Sequence, residues 1–169
     1  MSPMTDRNPR ILLLQISVIV ALIGFIDALY LFYMEVSKEF ACLINTVEIF
    51  DCKTVNQSEY AIILGIPVSL LGCLFYLAVI TMIFLAIFTK NEYWLSFFLP
   101  AAGIVGLLFS IYLTIIEFFV LNAFCEYCLL SAFCSLTLFI LLLIAKHQNF
   151  PSLFTKLDFW NMFKKPKLD

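Results

Sequence analysis

Four long apolar runs constrain the fold of this chain more than any other feature. They cover residues 11–34, 62–88, 94–121 and 125–145, and each reaches or exceeds the roughly 20 residues that an α-helix needs to cross a bilayer. With 63% hydrophobic and only 13% charged residues, the composition departs strongly from the about 25% charged residues of soluble domains. The sequence predicts an all-α membrane protein, a single bundle of four transmembrane helices over residues 11–145.

The first apolar run is expected to remain part of the folded domain. Arg7 and Arg10 precede it, as basic residues precede a secretory signal. However, the run exceeds the roughly 7–15 apolar residues of a signal peptide, and no small-residue cleavage site follows it.

The distribution of basic residues predicts the orientation in the membrane. Eight of the ten lysines and arginines fall on one side, and only Lys38 and Lys53 fall on the other. Basic residues concentrate on the cytoplasmic side of inner membranes. We therefore expect cytoplasmic termini (residues 1–10 and 146–169), with an outer loop at residues 35–61 and a short outer turn at 122–125. The eight are Arg7, Arg10, Lys90, Lys146, Lys156, Lys164, Lys165 and Lys167.

Two segments outside the apolar runs are amphipathic in composition. Residues 40–50 are either a short helix on the bilayer surface or a plain loop packed on the bundle. Residues 146–169 alternate lysines with aromatic and aliphatic residues. They form either a basic tail on the anionic cytoplasmic leaflet or a disordered segment.

Four of the six cysteines fall on the predicted outer face: Cys42, Cys52, Cys125 and Cys128. Disulfides form and persist outside the cytosol, so one interpretation is that these residues only brace the outer loops. In the sequence CEYC, however, Cys125 and Cys128 are three residues apart at a helix start, where their side chains can reach bonding distance. Such a short loop gives little entropic stabilisation, and a helix N-terminus favours the reactive thiolate. The spacing therefore favours redox switching at this pair.

The combined motifs resemble the vitamin K epoxide reductase family, in particular its bacterial homologues. They are Cys42 and Cys52 in the first outer loop, Ser58 six residues later, LGIPVSLLG (64–72) expected to open the second helix, and CEYC opening the fourth. Other quinone-linked thiol oxidases place the C-x-x-C motif in the first outer loop, which is the reverse order. The resemblance covers residues 10–145. It implies a four-helix membrane bundle whose outer loop caps a quinone pocket.

The resemblance also implies a redox relay. A soluble periplasmic thioredoxin-like (DsbA-like) dithiol protein would reduce a Cys42–Cys52 disulfide through Cys42. Cys52 would then attack Cys125 of a Cys125–Cys128 disulfide, and Cys128 would pass two electrons to a quinone of the ubiquinone, menaquinone or vitamin K type. Such an enzyme supports disulfide bond formation from the inner membrane. Some bacterial relatives carry a fused thioredoxin-like domain, and because none follows this bundle we expect a separate partner protein.

Ser58 is expected to hydrogen-bond a quinone carbonyl and to stabilise the charge that develops there on reduction. Its alternative role is a helix N-cap, although the residue three positions later is not the Glu or Gln of a complete capping box. Apolar residues near the outer end offer walls for such a pocket. The candidates are Ile66, Leu70, Phe118 and Phe119.

Two departures from the family pattern restrict what the resemblance implies. Nine residues separate Cys42 from Cys52, slightly more than expected. Ala132 stands four residues after Cys128, where the animal enzymes have a tyrosine linked to antagonist binding. Antagonist sensitivity is therefore not carried over to this chain.

The remaining ionisable and thiol groups within the apolar runs have simpler interpretations. Asp27 is either functional, because an intramembrane acid is costly, or satisfied by water or a neighbouring helix. Glu117 is near the outer surface and is expected to be solvated. Cys73 and Cys134 are expected to be small core residues.

Other classes of function have less support in the sequence. A haem carrier needs axial ligands, but the only histidine, His147, is on the predicted cytoplasmic side. An ion transporter would have little besides Asp27 to build a path, and nothing in the sequence points to a metal site or a nucleic-acid partner. The main alternative is a structural membrane subunit whose outer cysteines form bracing disulfides.

Overall fold

The four predicted membrane helices are all present. The computed structural model describes residues 9–38, 42, 50–89 and 97–147. Within these residues, four helices are long and apolar enough to cross a membrane, so the fold is an all-α membrane bundle. The helices in chain order are α1 (Pro9–Ser37), the short α2 (Cys52–Asn56), α3 (Val68–Thr89), α4 (Leu99–Ile116) and α5 (Glu126–His147).

The membrane helices pack side by side in the order α3, α1, α5 and α4. Helix α1 packs against α3 on one side and α5 on the other, and α4 packs mainly against α5. Fewer contacts join α3 to α4, so a cleft separates these two helices. The core between α1, α3 and α5 contains Ala21, Tyr76, Val79, Ile83 and Leu138, all at most 1% exposed.

The outer surface of the bundle is also apolar, as the lipid environment requires. Large hydrophobic side chains such as Ile26, Val105 and Phe133 are more than 60% exposed. Hydroxyl groups within the helices donate to the carbonyl four residues earlier, for example from Ser17 to Leu13 at 2.8 Å and from Thr137 to Phe133 at 2.8 Å. These bonds satisfy polar groups where lipid offers no partner.

The second apolar run does not begin as a helix. Its first residues form a two-residue strand, β1 (Ile62–Ile63), antiparallel to β2 (Ile66–Pro67), and α3 starts only at Val68. Leu64 and Gly65 make the turn with positive φ angles of 53° and 80°, which suits a two-residue hairpin loop. The expectation that LGIPVSLLG opens the second helix is therefore wrong for its first four residues.

Glycines allow close helix packing in this bundle, for example at Gly72, Gly103 and Gly106. The ring of Phe75 lies over Gly106, and a Cβ built on Gly72 or Gly103 would meet a neighbouring helix at 3.3 Å. Among the described residues outside its own neighbours in the chain, no heavy atom lies within 4 Å of such a Cβ at Gly65. Gly65 serves the hairpin turn and not helix packing.

Several sequence predictions concern segments beyond the described residues. The N-terminal tail up to residue 8, most of the amphipathic segment 40–50, and residues 148–169 of the basic tail all lie outside them. The division of the chain into tails and a membrane domain stays a prediction.

Candidate redox site and adjoining cavity

The segment that carries Cys52 is ordered by a capped short helix. Asp51 is the N-cap of α2, and its carboxylate accepts hydrogen bonds from the Thr54 backbone N–H at 3.0 Å and from the Thr54 hydroxyl at 2.5 Å. The side-chain hydrogen bond from Thr54 lowers the pKa of Asp51 below its ordinary value. The cap therefore holds Cys52 in the first turn of a defined helix.

Cys42 and Cys52 form a disulfide. Their Cα atoms are 5.8 Å apart, and the Cys52 backbone N–H donates to the Cys42 sulfur at 3.0 Å. Cys52 is 1% exposed, whereas Cys42 is only half-buried. An incoming protein thiol has better access to Cys42.

The CEYC motif lies where the chain turns back into the membrane. Helix α4 continues into a π-helical turn, Glu117–Leu121, and Asn122 ends it in the left-handed conformation with a φ of 49°. Cys125 precedes α5, and its carbonyl accepts the Leu129 N–H at 3.0 Å. The fourth helix thus begins one residue later than expected and contains Cys128 but not Cys125.

Cys125 and Cys128 are free thiols in this structure. Cys125 is completely buried, and Cys128 is half-buried. The pKa of the Cys125 thiol lies below its ordinary value, chiefly because the Cys128 side chain hydrogen-bonds to its sulfur, although burial acts in the opposite direction. This direction agrees with the thiolate that the helix start was expected to favour, but its largest cause is the neighbouring thiol and not the helix start.

The structure brings all four predicted cysteines into one buried cluster at the end of the bundle. A parallel backbone bridge joins Phe50 to Phe124, and the Asp51 N–H donates to the Phe124 carbonyl at 3.1 Å. Asn56 also links the two pairs. Its side-chain amide donates to the Cys52 carbonyl at 2.8 Å and contacts the Cys125 sulfur at 3.7 Å.

A cavity of about 270 Å³ adjoins this cluster and extends into the cleft between α3 and α4. Cys128 lines it, and Cys125 does not. Small-molecule sites in proteins are mostly apolar pockets of about 300 Å³ or more, so this cavity suits a ring-sized apolar ligand. Its apolar walls include Ala28, Leu31, Val55, Val68, Leu71, Phe75, Val105, Phe109, Leu113 and Leu121.

The apolar lining residues that the sequence suggested for this pocket are not the ones that the structure places there. None of Ile66, Leu70, Phe118 and Phe119 is among its lining residues. Phe118 and Phe119 are 55% and 72% exposed and lie beside an outer groove between α4 and α5. The helix face that looks inward depends on rotation about the helix axis, which an almost uniformly apolar run does not specify.

Ser58 does line the cavity, together with several other polar groups. Its hydroxyl donates to the Val55 carbonyl at 2.8 Å and makes no capping bond to the 3₁₀ turn Glu59–Ala61 that it precedes. Deeper in the cavity, the Tyr76 hydroxyl lies 2.9 Å from the Ser131 hydroxyl and 3.2 Å from that of Ser135. A bound ligand would therefore meet hydroxyl groups at both ends.

Glu117 is a site residue that sequence reasoning missed. It was expected to be solvated, but it is only 3% exposed and lines the cavity. Its carboxylate oxygen Oε2 accepts the Cys125 backbone N–H at 3.2 Å, and the Cys128 thiol is within hydrogen-bonding reach of the carboxylate. The expectation failed because the turn at Asn122 folds the chain back over this position, and the one available signal was an acid eight residues before the motif.

The other buried groups lie away from the cysteine cluster. Asp27 is 6% exposed, and its Oδ2 atom has no hydrogen-bond partner among the described residues. Cys73 and Cys134 are buried in the helix core, as expected.

Ligand atoms of Cys42, Cys52 and Glu126 lie within 4.8 Å of one another. However, a closed disulfide offers no thiolate to a metal.

A comparison with models of known protein families gives a match over most of the chain. The model of the vitamin K epoxide reductase family matches residues 15–143, a range that includes all four cysteines and most of the four helices. No curated protein matches the chain.

Proposed function

Because the chain belongs to the vitamin K epoxide reductase family, we propose that it is a quinone-dependent thiol–disulfide oxidoreductase of the inner membrane. Membership of the family implies a membrane oxidoreductase in general. The proposal specifies the route: electrons pass from a periplasmic thioredoxin-like (DsbA-like) protein through Cys42 and Cys52, then through Cys125 and Cys128, to a quinone. This reaction supports disulfide bond formation in the partner's substrates.

One observation carries the proposal. The four cysteines share a buried cluster, and only one member of the inner pair, Cys128, also lines the apolar cavity. If the cysteines only braced the outer loops, a cavity beside a free thiol would have no role. The geometry instead favours an ordered transfer in which Cys128 acts last.

The first step is an exchange with the partner protein. A partner thiolate attacks Cys42, the more accessible sulfur of the disulfide, and Cys52 leaves as a thiolate. The partner's second thiolate then attacks its own sulfur in this mixed disulfide and releases Cys42. The partner departs oxidised, and the loop pair holds two electrons.

The second step transfers these electrons to the inner pair. The Cys52 thiolate attacks Cys125 of a Cys125–Cys128 disulfide, and Cys128 leaves as a thiolate. Cys42 then attacks Cys52, closes the loop disulfide again and releases Cys125. A thiol of low pKa is a good leaving group, so the lowered pKa of Cys125 favours this release. A closed loop disulfide beside an inner dithiol is the state that this step produces.

The cavity residues fit a quinone as the electron acceptor. A bound quinone takes up two electrons and two protons. The apolar walls would hold its ring, and Ser58 would turn its hydroxyl from the Val55 carbonyl towards a quinone oxygen. Cys128 would face the ring from the lining of the cavity.

The distribution of basic residues in the sequence supports the proposed orientation. Eight of the ten fall in segments predicted to lie opposite the loop cysteines, which favours cytoplasmic termini and a periplasmic redox site. The partner and the disulfides it makes are then in the same oxidising compartment.

Quinone reduction by purified protein tests the proposal. With a dithiol as donor, we expect the wild type to bleach the absorbance of a ubiquinone or menaquinone analogue. Cys128→Ser should lower the rate at least about 10³-fold, because Cys128 is the only thiol among the described residues that line the cavity. Cys73→Ala, a buried cysteine outside the cluster, should keep the rate within about twofold.

Two results would refute this proposal. One is a folded wild type that reduces none of several quinones, which would leave structural disulfides as the better account. The other is full activity in Cys128→Ser, which would place the last step elsewhere.

A further inference from the structure

Glu117 is a buried acid at the point where the inner cysteine pair meets the cavity. Its side chain is 3% exposed, lies at the start of the π-helical turn that follows α4, and lines the cavity with Cys128. Burying a carboxyl group is costly unless it is hydrogen-bonded. A role in the reaction would explain why an otherwise apolar helix carries an acid here.

The hydrogen bonds of Glu117 connect it to both cysteines of the pair. Oε2 accepts the backbone N–H of Cys125 at 3.2 Å, and the carboxylate is within hydrogen-bonding reach of the Cys128 thiol, whose other partner is the Cys125 sulfur. The proton that must leave Cys128 during oxidation therefore has a carboxylate within reach. General acids and bases act from such hydrogen-bonding positions.

We propose that Glu117 is the acid–base catalyst of the quinone-reducing step. It accepts the proton of the Cys128 thiol and delivers that proton to an oxygen of the quinone in the cavity. This assignment rests on the proposed function and extends it, since it names the group that couples electron transfer to proton transfer.

The step balances with the groups already named. The two sulfurs each lose a proton, together lose two electrons, and form the Cys125–Cys128 disulfide, while the quinone becomes a hydroquinone. The proton of Cys128 travels through Glu117 to one quinone oxygen. The proton of Cys125 is released to the outer aqueous phase, which supplies the proton of the second oxygen.

Two other acids in this part of the bundle are less suited to this role. Asp27 is buried, but it is not among the cavity-lining residues and makes no hydrogen bond to either cysteine. Glu35 lines the cavity, but its carboxylate accepts the Ser69 hydroxyl at 2.7 Å. Among the described acids, Glu117 alone both lines the cavity and is within hydrogen-bonding reach of the Cys128 thiol.

The test compares Glu117→Gln with Asp27→Asn in two measurements. Glutamine keeps an oxygen for the Cys125 N–H but cannot take up a proton, so it separates positioning from proton transfer. Closing the disulfide removes the Cys128 thiol and leaves Glu117 with the Cys125 N–H, and a buried carboxylate that loses a donor is protonated more readily. In quinone-free protein, the infrared spectrum of the disulfide form minus that of the dithiol form should therefore gain a carboxylic acid band. That band should be lost in Glu117→Gln and retained in Asp27→Asn.

The second measurement is quinone turnover. We expect kcat to fall about 10²-fold in Glu117→Gln, the lower end of the usual contribution of a general acid–base, and to recover partly in Glu117→Asp. The KM for the quinone should change less than about threefold. Asp27→Asn should retain the wild-type kcat.

Three results would overturn the assignment. They are a wild type without the infrared band, a band that persists in Glu117→Gln, and a kcat of Glu117→Gln within about threefold of wild type. If instead the wild type reduces no quinone at all, the proposed function fails. The infrared band then still decides whether Glu117 receives the Cys128 proton.

Discussion

The two cysteine pairs belong to one buried cluster, yet they are built differently. Cys42 and Cys52 are ten positions apart in a loop, they are bonded, and one of the two is partly accessible. Cys125 and Cys128 are three positions apart at the start of a membrane helix and are free thiols. Cys125 contacts a buried acid, and Cys128 lines an apolar cavity. The difference indicates a division of labour in which the loop pair meets a protein and the helix pair meets a lipid-soluble molecule.

The largest expected effect separates the two pairs by the size of the donor. In the Cys42→Ala/Cys52→Ala variant, the rate of quinone reduction with a thioredoxin-like protein as electron donor should fall at least about 10³-fold. The reason is that a folded protein cannot reach the buried Cys125. A small membrane-permeable dithiol should keep its rate within about tenfold. Quinone absorbance followed with each donor measures both.

Equal losses with both donors would contradict this division of labour. Such a result would mean that the loop pair is needed for the fold of the inner site. Thermal melting of the variant, with Cys73→Ala as the control, distinguishes these cases.

A smaller effect is expected at the link between the pairs. Asn56→Ala removes the amide that contacts the Cys52 carbonyl and the Cys125 sulfur. Hydrogen bonds to charged groups contribute about 1.5–3 kcal/mol, so formation of a Cys52–Cys125 bond should slow about tenfold. We would measure it in Cys42→Ser/Cys128→Ser protein, with a mild thiol oxidant and mass spectrometry of the linked peptides.

Gln57→Ala is the matched control, because Gln57 is exposed on the same short segment. It should leave the rate of bond formation unchanged. If both substitutions slow the reaction equally, Asn56 acts only through the stability of helix α2.

The smallest effect concerns the loop pair alone. Asp51→Ala removes the N-cap of the helix that holds Cys52, at a cost of about 1 kcal/mol, and should speed reduction of the Cys42–Cys52 disulfide by a phosphine about fivefold. Asp51→Asn preserves the cap. Alkylation of the released thiols and a gel shift measure the rate.

The cap also predicts a pH dependence with a defined sign. The pKa of Asp51 is lowered in the folded protein from an ordinary value of 3.8. Its stabilisation is therefore complete above that value and is lost as the pH falls through the lower, folded pKa. The phosphine reaction of wild type should accelerate in that acidic range relative to Asp51→Asn, and identical pH profiles would rule out this role of the carboxylate.

The sequence predicted the membrane architecture well because length and hydrophobicity determine it. Each apolar run became a helix, and the cysteines that the spacing singled out came together. Two local predictions failed where the backbone departs from a helix. Positive φ angles at Leu64 and Gly65 replaced the start of a helix with a hairpin, and the turn at Asn122 buried Glu117.

The cavity lining could not be predicted for a different reason. In a soluble helix, polar residues mark the outer face, whereas a membrane helix is apolar all round. Phe75 and Phe109 face inward and Phe118 faces outward, although their immediate sequences are equally apolar. Only the packing of α3 and α4 around the cleft distinguishes them.

The backbone bridge between Phe50 and Phe124 has a kinetic consequence. When the Cys42–Cys52 bond opens, Cys52 does not depend on that bond to stay near Cys125, because the bridge and the Asp51 N–H still join the two segments. The effective concentration of one sulfur near the other is then similar in the oxidised and reduced states of the loop. Well-oriented intramolecular groups can react as if present at molar concentrations far above any bulk solution. The transfer between pairs should thus have a rate independent of protein concentration. The encounter with the soluble partner is then the step whose rate depends on the concentration of that partner.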